Sequence, residues 1–393
     1  MRVLIAGAGL CGLATALALL QRGHDVHVFE QAQALREVGA GVQLGSNGTR
    51  VLIALGLEAA MRRIVCEPTG KEIRLWTTGQ TWPVFDLGVG SVQRYGAPYW
   101  MAHRGDFHTV LLQAVREAAP DVVRAAMACT GFEQTEDHVT LHLANGDQIT
   151  GDVLLAADGV HSTIRRQMFG DGRARFTGIV AWRGLVPMHR LPPHMQQLVG
   201  TNWVGHGGHV VTYPLRRGEL LNFVGAVERN DWQVESWTEA GTREECSHDL
   251  AHWHDDIQTI IRNIDTPFKW ALLGRDPLPH FAQGRVCLLG DAAHPTLPFL
   301  AQGANMALED AIIVARCLHR FPVQPALRHF EAARLERTAA IVQGSADNTR
   351  RFHNPALGNP AGATDYIDRE FAVDKIQQRY DWLYEYDALT VEV

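Results

Sequence analysis

The stretch Gly290 to Asp310, reading GDAAHPTLPFLAQGANMALED, concentrates residues whose types and order suit chemistry. A short apolar strand, Val286-Cys287-Leu288-Leu289, delivers the carboxylate of Asp291 to its end. Pro295 and Pro298 stiffen the loop that follows, because proline fixes φ. An apolar helical pattern then runs through Met306, Leu308, Ile312 and Ile313. A helix starting near Ala301 or Gln302 exposes free backbone N–H groups and a partial positive charge. Gly303 and Ala304 keep bulk away from those amides, so a planar ligand can approach them closely. The loop suits an anion, or a group that becomes anionic during reaction.

A second constellation opens the chain. The apolar strand Val3 to Ala6 runs into Gly7-Ala-Gly9-Leu10-Cys11-Gly12. A helical pattern follows from Leu13 to Arg22, then a strand from Asp25 to Phe29 that ends at Glu30. Glycines at this spacing give a tight turn, backbone approach to a pyrophosphate and close helix packing, and the acid reaches a ribose. A glycine-rich turn without a ligand is the competing reading. The strand before, the helix after and the acid at the next strand end weigh against it. The pattern predicts a dinucleotide-binding βαβ unit.

These sites need a scaffold. The chain has 393 residues, enough for two domains of two or three layers. Its net charge of −7 offers no general attraction for nucleic acid or an anionic membrane, so neither is expected as a partner. The six cysteines are scattered without C-x-x-C spacing, which predicts reduced thiols in a cytoplasmic protein and neither a disulfide frame nor a metal site. The apolar run Met1 to Leu20 could mimic a leader or a membrane span, but Gly7, Gly9 and Gly12 interrupt it. Strands are expected over 71 to 100, a β-meander over 122 to 156 with its turn at Asn145-Gly146-Asp147, and further half-buried strands over 178 to 228. Trp253 to Asn263 and Gln324 to Arg350 read as helices, as does the aromatic tail Tyr366 to Tyr386, which could pack against a partner as a homodimer. The glycine-rich segment Leu35 to Asn47 leads into another helix. Because the dinucleotide unit comes first and Asp291 late, one nucleotide domain must be assembled from both ends. The expected organisation is α/β. A Rossmann-like, three-layer ββα domain takes 1–70, 101–175 and 271–320. A mostly β substrate domain is inserted as 71–100 and 176–270, and a helical region takes 321–393.

Three motifs now stand in order: Gly7-x-Gly9-x-x-Gly12 with Glu30; Ala157-Asp158-Gly159-x-His161-Ser162-x-x-Arg165; and Gly290-Asp291-Ala-Ala-His294-Pro295. Together they resemble the single-component FAD-dependent aromatic hydroxylases with the p-hydroxybenzoate hydroxylase fold, over roughly Arg2 to Leu318. Within that family the chain is most similar to the salicylate, 3-hydroxybenzoate and 6-hydroxynicotinate hydroxylases. The resemblance implies FAD as cofactor, NADH or NADPH as transient co-substrate, and O2 with a small hydroxyaryl carboxylic acid as substrates, reacting through a flavin C4a-hydroperoxide. A dehydrogenase or oxidase of the same fold without oxygen transfer is the alternative. It further implies that Gly7, Gly9 and Gly12 cradle the pyrophosphate, with Leu10 and Cys11 between them. Glu30, followed by Gln31, binds the adenosine ribose. Arg104 meets phosphates or the ribityl chain, Asp158 serves FAD and the passing NAD(P)H, and Asp291 binds ribityl hydroxyls. Ala304 and Asn305 face the flavin pyrimidine edge, and Val42 belongs to the same cofactor-binding set.

Ring hydroxylation needs a base for the substrate hydroxyl and a dry site. His209 is the base candidate. On a strand, His209, Val211 and Tyr213 share one face, and relatives carry a His and a Tyr at this spacing. A structural histidine is the competing reading, His206 is a weaker rival, and Tyr213 is either a substrate contact or core. Pro298 would place its carbonyl near the reacting oxygen. Relatives acting on 3-hydroxybenzoate often have Gln there, and those acting on 6-hydroxynicotinate often have His at the place of Phe299; both departures favour a salicylate-like or other hydroxyaryl acid. His294 reads as structural. Arg183 reads as either a domain-junction residue meeting NAD(P)H or as packing.

Overall fold

Strands from both ends of the chain lie side by side. In the computed structural model, which describes residues 1–34, 40–170, 172, 174–231 and 239–393, Arg2–Ala6 pairs in parallel with Asp25–Phe29 and with Val153–Ala156. Val286–Leu288 adds in parallel beyond Val153–Ala156. Across this six-stranded sheet the order is Ala282–Gln283, Val286–Leu288, Val153–Ala156, Arg2–Ala6, Asp25–Phe29 and Val123–Arg124. Its central strands are continuous apolar runs because both faces are covered, and Val3, Ile5, Leu154 and Cys287 have no exposed surface. The helices Leu10–Leu20 and Gly303–Arg320 pack on each other at one side. A three-stranded meander, Cys129–Gln134, Val139–Leu143 and Gln148–Gly151, packs against Arg2–Ala6 and Val153–Ala156. This is the expected α/β, three-layer arrangement. Its parallel register has one consequence for function: the three motifs leave the carboxyl ends of adjacent strands, where open α/β sheets bind ligands.

The second sheet has seven strands in the order Phe268–Gly274, Arg175–Pro187, Leu220–Glu228, Gly208–Leu215, Val199–Gly205, Gly70–Leu75 and Thr81–Asp86. Two details differ from the sequence reading. Phe268–Gly274 pairs antiparallel with Arg175–Pro187, so the chain returns to the first sheet only at Ala282 rather than at 271. Val89–Tyr95 is a helix inside the segment read as strands, and Gly96 ends it in the left-handed region at φ 75. Residues 35–39 of the glycine-rich segment lie outside the described residues. Its continuation, Gly41–Leu44, pairs with Trp100–His103.

The C-terminal region begins with the 30-residue helix Val323–Phe352 and continues as two helices, Pro360–Glu370 and Val373–Tyr384. Most of the tail's tyrosines turn inward. Tyr366, Tyr380 and Tyr384 are buried, and Tyr384 sits edge-on to Tyr95 and Tyr99 at 5.4 and 5.9 Å. Trp382 of the same tail stays exposed. Among the described residues no helix is long and apolar enough to cross a membrane.

A buried polar cluster joins the long helix to the late loop. Asp310 accepts from Gly290 N–H (2.8 Å) and His294 Nε2 (2.7 Å) through one oxygen, and from Arg334 Nε (2.7 Å) through the other. Arg334 also donates to Glu309 at 2.6 Å, and Arg337 adds two bonds to Glu309 at 2.8 and 2.9 Å. His294 therefore has a structural role. Burial pushes the Asp310 carboxyl up, but His294, Arg334 and the Gly290 amide outweigh it and bring it down from 3.8 to about 2. A depressed carboxyl stabilises the fold above its unfolded pKa and loses that contribution as pH falls through the folded value. Asp310→Asn should cost roughly 3–5 kcal/mol in a neutral-pH denaturant titration, because it removes one of the two carboxylates that neutralise the buried Arg334. The gap from the parent protein should narrow as pH falls from 3.8 towards 2; a constant gap would refute the assignment.

Candidate active site

The first helix begins without a side-chain cap. Its N-cap is Gly9, and the first intrahelical bond recorded there is Leu13 N–H to Gly9 O at 3.0 Å, which leaves the amides of Leu10, Cys11 and Gly12 facing the turn. The glycines divide their work. A Cβ on Gly7, at φ +98, would lie 2.4 Å from the Ala157 carbonyl oxygen, and one on Gly12 would lie 2.0 Å from the Gly7 carbonyl oxygen. A Cβ on Gly9 would meet nothing within 4 Å. Two glycines thus allow tight backbone packing, and the third faces the open side from which a pyrophosphate would approach. The Glu30 carboxylate accepts from Ala8 and Ala32 N–H, each at 2.8 Å, and so sets the turn's shape. Gln31 is exposed beside it. Cys11 packs beneath the late loop, its sulfur 3.0 Å from where a Gly290 Cβ would sit. Burial first, then Asp310 and Asp291, hold its thiol well above the ordinary range, so it is an inert packing group.

The second motif supports the third. Asp158 accepts from Thr163 N–H (2.9 Å) and Ile164 N–H (3.3 Å) with one oxygen, which caps the short helix Thr163–Phe169. Its other oxygen is buried with no hydrogen-bond partner, and burial raises its pKa. An orphaned acceptor here fits a hydroxyl-bearing ligand. Arg165 donates to the carbonyls of Asp291 (3.4 Å) and Ala292 (3.3 Å), clamping the late loop. The Asp291 residue itself is exposed at the strand end.

The late helix starts at Gly303, with Gln302 as an N-cap whose side chain makes no capping bond. Met306 N–H is the first to close onto Gln302 O (2.8 Å), leaving the Gly303, Ala304 and Asn305 amides as free donors. The start differs slightly from the sequence reading, because Pro298–Leu300 forms a 3-10 turn and Ala301 is left-handed at φ 54. The Asn305 side chain is fully engaged: Oδ1 accepts Gly45 N–H (2.9 Å), and Nδ2 donates to Gln43 O (3.2 Å) and Ala301 O (2.8 Å). Only its backbone amide is available to a cofactor. This clasp brings Val42, half-buried on Gly41–Leu44, next to the helix start.

One face of the seven-stranded sheet carries His209 and Tyr213, both buried, with Val211 between them. Lys71 joins that face. It pairs across from Gly200, and a Gly200 Cβ would come within 3.2 Å of the Lys71 side chain. Lys71 Nζ lies 3.3 Å from Tyr99 Oη, which donates to Gln43 Oε1 at 2.7 Å. Burial brings the Lys71 ammonium down to about 8. The Tyr213 ring fills the space beside Gly41, whose amide bonds Asn222 Oδ1 at 2.8 Å. The His209 ring meets Phe299 edge-on at 4.7 Å, so the late loop covers it. Its Nδ1 lies 2.7 Å from Nε2 of His353, whose Nδ1 lies 2.9 Å from Glu228 Oε1. Pro298 is exposed, and its carbonyl accepts Ala301 N–H at 3.0 Å. His206 is exposed in the preceding turn, outside this face. A cavity of about 40 Å³ lies on the opposite face, by Arg74, Thr201 and Asp256, whereas one of about 20 Å³ lies on the His209 side, by Lys71, Asn202 and Phe352. The convergence of chemistry, not cavity size, identifies the site. Arg183 is buried on this sheet against Phe268 and Trp270; burial first, then Arg104, lowers its guanidinium to about 10. Arg104 opens the helix Arg104–Ala118, which Asp106 ties to Arg216 at 2.7 and 2.9 Å.

Sequence reasoning missed Lys71 and His353. Lys71 was one of three lysines, set in an alternating strand, and that rarity was the available signal. His353 ends a helix, and nothing local pairs it with His209, 144 positions earlier.

A dinucleotide cradle, an uncapped helix start beside it and a dry sheet face with an imidazole define a flavin-dependent aromatic hydroxylase. The chain belongs to the FAD binding domain family, which matches residues 1–345, and FAD is its cofactor. It is 37% identical to the 3-amino-4-hydroxybenzoate 2-monooxygenase PtnB3 of Streptomyces platensis, over 99% of this chain and 97% of that one. It is 35% identical to 3-hydroxybenzoate 6-hydroxylase 1 of Aquipseudomonas alcaligenes, over 97% of each. The fold superposes on Klebsiella pneumoniae HpxO complexed with FAD and uric acid with a TM-score of 0.83, at 27% identity and 96% coverage of each chain. NAD(P)H is the reductant of these monooxygenases.

Gly9→Val tests the cradle. The open space at Gly9 lets the chain fold normally, while the flavin content of purified protein, read from visible absorbance, should fall roughly tenfold or more. Full flavin occupancy would refute the placement.

Proposed function

We propose that the chain hydroxylates a small aromatic acid bearing a ring hydroxyl, a hydroxybenzoate or aminohydroxybenzoate, with His209 as the base and Lys71 as the carboxylate anchor. The observation that carries this reading is the one sheet face shared by a buried imidazole, a buried tyrosine and a half-buried ammonium. FAD, held along Gly7 to Gly12, Glu30, Asp158, Asp291 and the Gly303–Asn305 amides, supplies oxygen activation with electrons from NAD(P)H. The remaining work belongs to the chain. Lys71 meets the substrate carboxylate, with Tyr99 and Gln43 holding the ammonium's surroundings. Tyr213 and Phe299 flank the ring and exclude water. His209 takes the proton of the ring hydroxyl, which raises electron density at the carbon to be hydroxylated. Burial keeps its imidazolium well below the ordinary range, so it meets substrate as the neutral base. The named relatives act on hydroxybenzoates with and without an amino group, and Pro298 differs from the Gln expected of enzymes acting on 3-hydroxybenzoate.

His209→Ala should slow product formation roughly 10²–10⁴-fold and divert NAD(P)H oxidation to hydrogen peroxide, with FAD retained. Unchanged coupling, measured as product per NAD(P)H in a panel of hydroxybenzoates, would reject the base role. Lys71→Met should weaken binding of 3-hydroxybenzoate by roughly tenfold or more. The ammonium is charged below its pKa, so parental affinity should fall as pH rises through about 8. That pH dependence should vanish in the variant; its persistence would remove Lys71 from the site.

A further inference from the structure

A base enclosed as His209 is has a difficulty that the fold addresses. The residue is 1% exposed, with Phe299 and Phe352 rings at 4.7 and 5.1 Å. A proton left on it would be a buried cation with no adjacent carboxylate, and the next turnover would find no base. Yet one ring nitrogen leads outward. His209 Nδ1 contacts His353 Nε2 at 2.7 Å, and His353 Nδ1 contacts Glu228 Oε1 at 2.9 Å. His353 is buried, whereas the Glu228 side chain is 53% exposed at the end of Leu220–Glu228.

The polarity of this chain follows from its outer end. An ionised Glu228 accepts only, so His353 must donate from Nδ1. Its Nε2 is then the acceptor, and His209 must donate from Nδ1. The remaining nitrogen of His209, Nε2, is left with a bare lone pair, which is the tautomer a base requires. We propose that His353 and Glu228 form the proton exit of this enzyme, carrying to solvent the proton that His209 removes from the substrate hydroxyl. The proposal rests on His209 being the base. In the step, the substrate O–H bond breaks, its electron pair stays on the ring oxygen, and an N–H bond forms at His209 Nε2. The Nδ1–H bond of His209 breaks as one forms at His353 Nε2. The Nδ1–H bond of His353 breaks as an O–H bond forms on Glu228, from which bulk water takes the proton. No electron is exchanged; the step leaves His209 protonated at Nε2, and the reverse transfer, from water through Glu228 and His353 to His209 Nδ1 as Nε2 returns its proton to the departing product oxygen, restores the resting tautomers.

Burial lowers the imidazolium of His353, and Glu228 opposes this, so His353 passes a proton without retaining it. Other charges near the chain are engaged elsewhere or face solvent. Arg229 is held by Asp231 and Asp249 at 2.6 Å each, Arg351 by Glu370 at 3.3 Å, and Arg350 by Asp347. His206 is exposed, and the covering turn Pro298–Leu300 carries no charge.

Glu228→Gln separates transfer from mere positioning, because the amide oxygen still accepts from His353 but takes no proton. The readouts are two. One is stopped-flow absorbance of phenolate formation when 3-amino-4-hydroxybenzoate binds the oxidised holoenzyme. The other is 15N-histidine NMR of the holoenzyme alone. Wild type should show His209 protonated at Nδ1 and bare at Nε2. Glu228→Gln and His353→Gln should keep FAD and substrate affinity but form phenolate at least about tenfold more slowly, and Glu228→Asp should restore most of the rate. If both variants form phenolate at the wild-type rate while His209→Ala does not, the exit is wrong and His209 remains the base. If His209→Ala also forms phenolate normally, the base reading and the exit fall together. The opposite His209 tautomer would overturn the exit by itself.

Discussion

The carboxylate of Asp310 is the point on which the site's geometry turns. It is wholly buried, and it binds the first amide of the late loop, the imidazole within that loop and a guanidinium from the next helix. Buried ion pairs add little net stability, since desolvation offsets attraction, but they are costly to break and admit few arrangements. That selectivity is what a cofactor loop needs. Gly290 and His294 are held to one residue near the start of a helix, so Asp291 and the loop to Ala301 are fixed relative to the free amides at Gly303–Asn305. The long helix adds further ties: Ser345 Oγ donates to Leu297 O, and Asn348 Nδ2 to Phe299 O. The ring that covers His209 is thus set from the C-terminal region.

The two sheets meet through a small number of directed contacts. Asn222 on the second sheet receives the amide of Gly41, and Arg216 forks onto Asp106. Each joins the strand Gly41–Leu44 or the helix Arg104–Ala118 to an element on the other side of the junction. A planar cofactor edge and an aromatic substrate must share this junction, and polar side chains with fixed directions hold it more sharply than apolar contact alone.

In the proposed function, electrostatics divide the His209 face into three tasks. Lys71 would offer an incoming carboxylate an ammonium whose charged form burial already disfavours. His209 is held neutral by the same physics. The Glu228 side chain is 53% exposed, in reach of bulk water.

The amino-acid sequence by itself determined the motifs and their local elements. Gly7, Gly9 and Gly12, the apolar strands Val3–Ala6 and Val286–Leu288, and the acid at Glu30 are short-range signals, each bound to the turn or strand that carries it. That early and late strands share one sheet was legible for the same reason, since parallel apolar runs must find covered neighbours. The His209–Tyr213 face followed from the period of two in a strand. What only the tertiary structure decided lies between distant positions. Asn305 uses its side chain on Gly45 and Gln43, leaving only a backbone amide for a cofactor. Phe268–Gly274 joins the second sheet because its partner strand begins 93 residues earlier, at Arg175. Lys71 and His353 carry no local motif; their chemistry exists because β-pairing and helix packing bring them to Tyr99 and His209. Periodicity reports which way a side chain faces, but hydrogen-bond partners and lost solvation depend on what the rest of the chain places against it.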